Sequence, residues 1–325
     1  MLTDKPKIEL YQQRSFGQKF SATFDFLREN IKLWLRASLY TILPICLLQA
    51  LALEHIGNFF TNITAGMAGA NGLTSIISSY MAYVVCIVIG TSMMTSVCYS
   101  LMKHYQSSPT GLQGVTLKAL RPLIIRNFKR TLKLTFAIGG LFILVMIVLT
   151  LFGAIINGVL NNALGVVLLI IGIMVLLVSL SLSMPVYIFE EDTTAFGAIK
   201  RGFRLGWPAF LPTLGLIIVI GLLTGILQAT TSVPWYLLYM GKAALTISND
   251  APEITSSPFY NFTLYLTAVL QSFGAYLSMA LTLIALAYQY GSIAEAKNSL
   301  SVEDDIAHFE QLSEEDKEID NFDKL

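Results

Sequence analysis

Charged residues are scarce in this chain. Lys, Arg, Asp and Glu together make up 13% of the sequence, whereas soluble domains carry about 25%. Residues 134–189 contain no charged residue and no histidine. Since one bilayer crossing takes about 20 apolar residues, this stretch predicts two crossings, Leu134–Ile156 and Leu164–Phe189, with a turn at the polar segment Asn157–Asn162. The scarcity of charge excludes a soluble globular protein and indicates one that crosses the membrane several times.

Residues that commonly carry catalysis or bind metals are also few. The three histidines, His55, His104 and His308, lie in separate segments and share no metal-ligand spacing. The three cysteines all fall in apolar segments and predict no disulfide. No nucleotide-binding, serine-hydrolase or zinc-peptidase motif occurs. Glu54 beside His55 is the one acid–base pair near the predicted outer face, and a polar helix end explains it more simply. The sequence predicts no catalytic residue, cofactor or metal.

Four further apolar stretches bring the number of predicted crossings to six. Each pair of crossings follows a segment with apolar residues at helical spacing, namely Ser15–Ile31, a helix within residues 103–133, and residues 196–204. Such segments are typical of helices that lie in the membrane interface. The prediction is an all-α, polytopic membrane protein with six transmembrane helices in three hairpins, each preceded by a cytoplasmic interfacial amphipathic helix. The four further crossings are Leu33–Leu53, Ile76–Met102, Phe210–Ala229 and Phe262–Tyr290.

The positions of Lys and Arg predict the orientation. Twenty of the 21 lie before or at the start of the first crossing, in residues 103–133, in residues 190–208 or after residue 290. Only Lys242 falls on the opposite side. Because cytoplasmic segments carry the excess of Lys and Arg, both termini are predicted to be cytoplasmic, and residues 56–75 and 233–261 to lie outside. Residues 233–261 are also predicted to form a loop.

The basic residues of the second and third interfacial helices form a candidate surface for anionic lipid headgroups or for a partner protein. In residues 103–133 the apolar stripe lies on one side of the helix and most basic residues on the other. Lys and Arg near an anionic membrane surface favour binding to it. The same residues would equally well serve only to set the orientation. The surface consists of Lys118, Arg126, Lys129, Lys133, Lys200, Arg201 and Arg204.

A motif spans the segment between the fourth and fifth crossings. It consists of Glu190 or Glu191, followed by Ala198, Arg201 and Leu205, and it ends just before the fifth crossing. Acids followed closely by bases at a helix end predict salt bridges at the interface. A catalytic carboxylate pair would need a supporting motif, and the sequence contains none.

This motif resembles the signature of a large group of bacterial six-helix membrane proteins. The group includes the membrane domain that is fused to some glycerophosphodiester phosphodiesterases. The resemblance covers about residues 15–295 and implies a six-helix protein of the bacterial cytoplasmic (inner) membrane. Gly202 departs from the pattern, since the family often has Ser there. The phosphodiesterase activity belongs to a separate soluble domain of about 250 residues, for which this chain has no room, so the resemblance does not imply an enzyme.

The end of the chain differs from the rest in charge. Residues 1–298 are predicted as the membrane domain with its interfacial helices, and residues 299–325 as an acidic cytoplasmic tail. Gly291–Leu325 holds eleven acids and three lysines. An anionic membrane surface repels such a segment. It is predicted to contact the chain's own basic segments, to bind a protein partner, or to remain solvated without fixed structure.

The predicted function is that of a non-enzymatic membrane protein that engages anionic lipids or partner proteins at its cytoplasmic face. No nucleic-acid partner is expected, and the oligomeric state is left open. The alternative is a transporter or channel for a small or amphiphilic substrate. Gln49, Gln228 and Gln271 could line a path, although such residues more often link helices. Gly221 and Gly225, at GxxxG spacing, predict close packing of the fifth crossing.

Overall fold

The computed structural model describes residues 7–64, 72–159, 162–248 and 252–298. Within these ranges the chain forms nine α-helices and no strand, which confirms the all-α prediction. The helices are α1 (Phe16–Thr64), α2 (Gly72–Ser107), α3 (Leu117–Val159), α4 (Asn162–Leu180), α5 (Ser183–Phe189), α6 (Ala195–Gly206), α7 (Phe210–Ser248), α8 (Pro252–Thr255) and α9 (Pro258–Asn298).

Six helical segments in the described ranges are long and apolar enough to cross a bilayer, as predicted. They lie in α1, α2, α3, the α4–α5 pair, α7 and α9, and each overlaps a predicted crossing. Large apolar side chains are exposed along them, for example Leu222 at 66% and Phe136 at 65%. Apolar exposure on this scale is typical of a surface that lipid covers. The chain is a multi-pass membrane protein by the length and composition of these helices.

The transmembrane helices extend beyond the predicted crossings. α1 has 49 residues, which corresponds to about 74 Å at 1.5 Å per residue, whereas the hydrocarbon core is about 30 Å thick. It contains the segment Ser15–Ile31 from Phe16 onward, together with the first crossing, because no Gly or Pro interrupts the chain between them. α3 likewise continues from residue 117 into the third crossing. These two predicted interfacial helices are therefore not separate elements.

The prediction that residues 233–261 form a loop is wrong within the described ranges, whereas their position outside the membrane stays a prediction. α7 continues to Ser248, and the short α8 lies between it and α9. Trp235 is buried and stacks on Tyr239 with ring centroids 5.0 Å apart. Tyr239 donates a hydrogen bond of 3.0 Å to the carbonyl of Gly57 in α1. This packing against α1 stabilises the helical conformation where the local sequence indicated a loop.

The core consists of several clusters. The largest lies mainly between α1, α2 and α9, where Phe26, Tyr99 and Tyr288 are completely buried. α7 packs along α9. A second cluster joins α3, α5 and α6 to the end of α9, with Leu182 and Tyr290 inside it. The motif of Glu190 or Glu191, Ala198, Arg201 and Leu205 lies at this second cluster.

Within the described residues, close helix packing does not occur at the predicted glycines Gly221 and Gly225, but it does occur at other glycines. No atom of the described chain lies within 4 Å of the positions that a Cβ would take at Gly221 or Gly225, apart from neighbouring atoms of their own helix. The predicted packing at this GxxxG is therefore wrong within the described chain. At Gly90, by contrast, a Cβ would collide with the side chain of Tyr276.

Candidate functional site at the junction of α5 and α6

Three different faces run along α6. The helix begins after Thr194, whose hydroxyl accepts a hydrogen bond of 3.1 Å from the backbone N–H of Gly197. The face toward the bundle carries small and aliphatic residues, while an aromatic face and a basic face are exposed. Of the predicted apolar stripe Phe196, Ile199 and Phe203, only Ile199 is buried. The exposed residues are Phe196, Phe203 and Trp207 on the aromatic face and Lys200, Arg201 and Arg204 on the basic face.

Two glycines allow α6 to lie directly against the end of α4 and the start of α5. A Cβ at Gly202 would lie 2.6 Å from the Cα of Ser183, and a Cβ at Gly206 would lie 2.9 Å from the Cα of Ser179. These neighbours are backbone atoms, which cannot rotate away as a flexible side chain does. Glycine at both positions therefore sets how closely α6 approaches the bundle.

Glu190 links α6 to α9. Its carboxylate forms an ion pair with Arg201, with 2.9 Å between the carboxylate and Nε, and accepts a hydrogen bond of 2.7 Å from the Tyr290 hydroxyl. The Glu190 side chain is 18% exposed, and Tyr290 is completely buried. Ala198 and Leu205, the other two motif residues, are buried in the second core cluster. The motif therefore forms a structural joint between the end of the fourth span, α6 and α9.

Glu191 links the ends of α2 and α3. Its carboxylate pairs with Lys103 of α2 and with Arg126 of α3, the latter at 2.7 Å. These two cations, with Lys103 contributing most, lower the pKa of Glu191 from its ordinary 4.5 to about 2. The carboxylate therefore stays ionised in mild acid.

The salt bridges of Glu191 predict a specific pH dependence of stability. Because the folded-state pKa lies below the unfolded value, the contribution is complete above about pH 4.5 and is lost as the pH falls toward 2. The pairs are exposed, so they contribute about 1 kcal/mol or less. The stability difference between the wild type and Glu191→Gln should be constant above pH 5 and vanish near pH 2, as measured by thermal unfolding in detergent. A difference that does not change with pH would contradict this assignment.

Arg130 has a role that the sequence alone does not indicate. Its guanidinium donates hydrogen bonds to the carbonyls of Tyr187, Glu190 and Glu191, the last two at 3.1 and 2.9 Å. It also lies 4.5 Å from the centroid of the Tyr187 ring. The end of a helix leaves carbonyl groups without partners and favours a cation, so Arg130 of α3 stabilises the end of α5. No local pattern reveals this role, because the contact joins distant parts of the sequence.

The predicted surface residues fall into two groups. Arg126 and Arg201 are paired with Glu191 and Glu190. The other five are exposed and form no ion pair with any residue that the structure describes. These five, the unpaired cations, are Lys118, Lys129, Lys133, Lys200 and Arg204.

A basic cleft lies between α6 and the end of α9. Its volume is about 380 Å³. Lys297 of α9 contributes to it, although in the sequence this residue is only one of the three lysines of Gly291–Leu325. The cleft is lined by Gly197, Lys200, Arg201, Arg204, Leu205 and Lys297.

The predicted outer end has a different polar cluster. Lys242 of α7 donates hydrogen bonds to the amide oxygens of Asn58, at 3.1 Å, and Asn261, at 2.7 Å. It thereby joins α1, α7 and α9. His55 is exposed and lines an apolar groove between α1 and α2, whereas Glu54 is not among the residues lining that groove. In the described ranges, no three His, Cys, Asp or Glu side chains are grouped closely enough to hold a metal ion.

No protein-family model, curated protein or solved structure matches this chain.

Proposed function

We propose that this chain is a non-enzymatic membrane protein whose cytoplasmic surface engages anionic lipid headgroups. The observation that supports this best is the set of unpaired cations on α3 and α6. Each Lys or Arg near an anionic membrane surface contributes about 1 kcal/mol to binding. A cation that is already paired with a carboxylate, such as Arg126, contributes less because its charge is neutralised locally.

The proposed topology places six transmembrane helices in three hairpins in a bacterial cytoplasmic membrane, with both termini in the cytoplasm. The unequal distribution of Lys and Arg supports this orientation. Lys242 is the single exception in the sequence. Its hydrogen bonds to Asn58 and Asn261 supply a structural reason for a cation on the outer side.

α6 is the element best suited to lie in the membrane interface. The fourth span ends shortly before it and the fifth span begins shortly after it. Its exposed aromatic face suits the boundary between acyl chains and headgroups, and its basic face suits the headgroups themselves. We therefore propose α6 as the cytoplasmic interfacial helix of the third hairpin.

The transport alternative gains no support from the surroundings of Gln49. Gln49, which could line a path, accepts a hydrogen bond of 2.6 Å from the hydroxyl of Tyr276. Such a bond between α1 and α9 is typical of helix packing. The proposed protein partner of residues 299–325 is a separate prediction, since these residues lie outside the described ranges.

Neutralising the unpaired cations of α3 should remove much of the preference for anionic lipid. The triple variant of Lys118→Gln, Lys129→Gln and Lys133→Gln should lower the preference for phosphatidylglycerol over phosphatidylcholine by up to about 100-fold, since each lysine contributes about 1 kcal/mol. The preference is measured by native mass spectrometry of protein from nanodiscs of mixed lipid.

Arg126→Gln is the matched control on the same helix. Because Arg126 is paired with Glu191, its loss should change the lipid preference much less than the loss of an unpaired lysine. An unchanged preference in the triple variant would refute the proposed function and leave these lysines with only a role in orientation.

A further inference from the structure

We propose that the basic cleft between α6 and α9 binds the phosphate of one anionic phospholipid headgroup. The proposal rests on the proposed function, to which it adds a discrete, saturable site and a ligand class. The volume of about 380 Å³ lies within the range of small-molecule sites. It admits one phosphate-bearing headgroup.

The charges around the cleft favour an anion strongly. Lys200, Arg201, Arg204 and Lys297 line it, and no acidic residue of the described ranges does. Of these four cations, only Arg201 has its charge balanced by Glu190, through the ion pair described above. The other three cations form no ion pair with residues that the structure describes. An anion in the cleft would therefore gain several charge-assisted hydrogen bonds at once.

Arg201 is held in place for this role. The Glu190 carboxylate forms an ion pair with Arg201 Nε at 2.9 Å, and Tyr290 donates a hydrogen bond to Glu190. Within the described ranges, the two terminal nitrogens of the guanidinium form no hydrogen bond. A guanidinium that is paired with a carboxylate at Nε leaves these two nitrogens as a planar fork, which matches two phosphate oxygens. The joint that holds α6 to the bundle thus also orients a phosphate ligand.

The aromatic face of α6 favours a lipid over free phosphate. Phe196, Phe203 and Trp207 are 75%, 37% and 58% exposed, and they follow the helix beside the basic face. A phospholipid can place its phosphate among the cations while its glycerol and first acyl carbons cover these rings. Free phosphate or glycerol phosphate has no part that does so and should bind more weakly.

Native mass spectrometry of the full-length protein tests the site. Protein released from micelles is titrated with phosphatidylglycerol, with phosphatidylcholine and with sn-glycerol 3-phosphate. The wild type should retain one tightly bound phosphatidylglycerol. The double variant Arg204→Gln with Lys297→Gln should lower its affinity at least about tenfold, as expected for the loss of charge-assisted contacts. Both side chains are exposed, so the fold should be retained, as circular dichroism can verify.

Two matched variants separate a discrete site from general surface charge. Lys118→Gln with Lys129→Gln removes the same charge from α3 and should leave the single tight binding event in place. Arg201→Lys keeps the charge but loses the planar fork, and it should weaken the tight event as well.

Each contrary result has a distinct meaning. Unchanged tight binding in the Arg204/Lys297 double variant, or an equal loss in the α3 variant, would overturn the discrete site while leaving the proposed function intact. Glycerol phosphate that displaces the lipid at equal concentration would show a site for free phosphate esters and overturn the lipid assignment. Equal retention of phosphatidylcholine by the wild type would refute the proposed function itself.

Discussion

Gly202→Ala should destabilise the bundle, although helix propensity alone predicts the opposite. Alanine is favoured over glycine inside a helix by about 1 kcal/mol. At position 202, however, the new Cβ would lie 2.6 Å from the Cα and 2.7 Å from the N of Ser183. These backbone atoms belong to the start of α5, so α6 must move outward. Overpacking of this kind costs about 1–3 kcal/mol. The outward shift of α6 would also weaken the ion pair between Arg201 and Glu190.

Gly221→Ala is the matched control for this substitution. It introduces the same methyl group in α7, where no atom of the described chain lies within 4 Å of the new Cβ beyond its own helix. The control should be neutral or slightly stabilising. Unfolding titrations in mixed micelles, followed by circular dichroism, measure both changes. Equal effects of the two substitutions would show that α6 does not lie as close to α5 as described.

Glu190→Ala should cost about 2–3 kcal/mol of unfolding free energy, because it removes a hydrogen-bond acceptor from the buried Tyr290 hydroxyl and leaves Arg201 without its partner. Arg201 would then be free to leave the position in which it lines the basic cleft. The variant should therefore also weaken tight lipid binding, although Glu190 does not itself line the cleft.

Glu191→Ala provides the comparison for Glu190→Ala. Glu191 has two cationic partners but is 44% exposed, so its removal should cost about 1 kcal/mol or less. The number of ion pairs alone would predict the larger loss of stability for Glu191. A double-mutant cycle of Glu190→Ala with Tyr290→Phe should show coupling of about 1 kcal/mol or more. Additive effects would mean that the hydrogen bond between these residues does not contribute to stability.

The number of crossings could be predicted from the sequence because long apolar runs are a local property. The two crossings in the uncharged stretch Leu134–Phe189 can be recognised without information about neighbouring helices. The lengths of the helices could not be predicted in the same way. The extension of α7 past residue 233 depends on Trp235 and Tyr239 packing toward α1, and no pattern in residues 233–261 contains that information.

Part of the candidate site was also predictable. The acids and bases of residues 190–204 are close in sequence, so salt bridges between them could be expected, and Glu190 does pair with Arg201. Tyr290 and Arg130 belong to other helices, and only the packing of α9 and α3 brings them to this joint. The same holds for Lys297, which completes the basic cleft. The GxxxG of α7 is different, because this local pattern is recognisable in the sequence but no helix of the described chain packs closely against it.

The most direct test of the proposed function is the side of the membrane on which the unpaired cations lie. Single cysteines are placed at position 118 in α3, position 200 in α6 and position 253 in α8, after replacement of Cys46, Cys86 and Cys98. A membrane-impermeant thiol reagent is applied to intact cells and to opened membranes. Position 253 should react in intact cells, whereas positions 118 and 200 should react only after the membrane is opened. Labelling of position 118 or 200 in intact cells would place the basic surface outside and contradict the proposed engagement of cytoplasmic lipid headgroups.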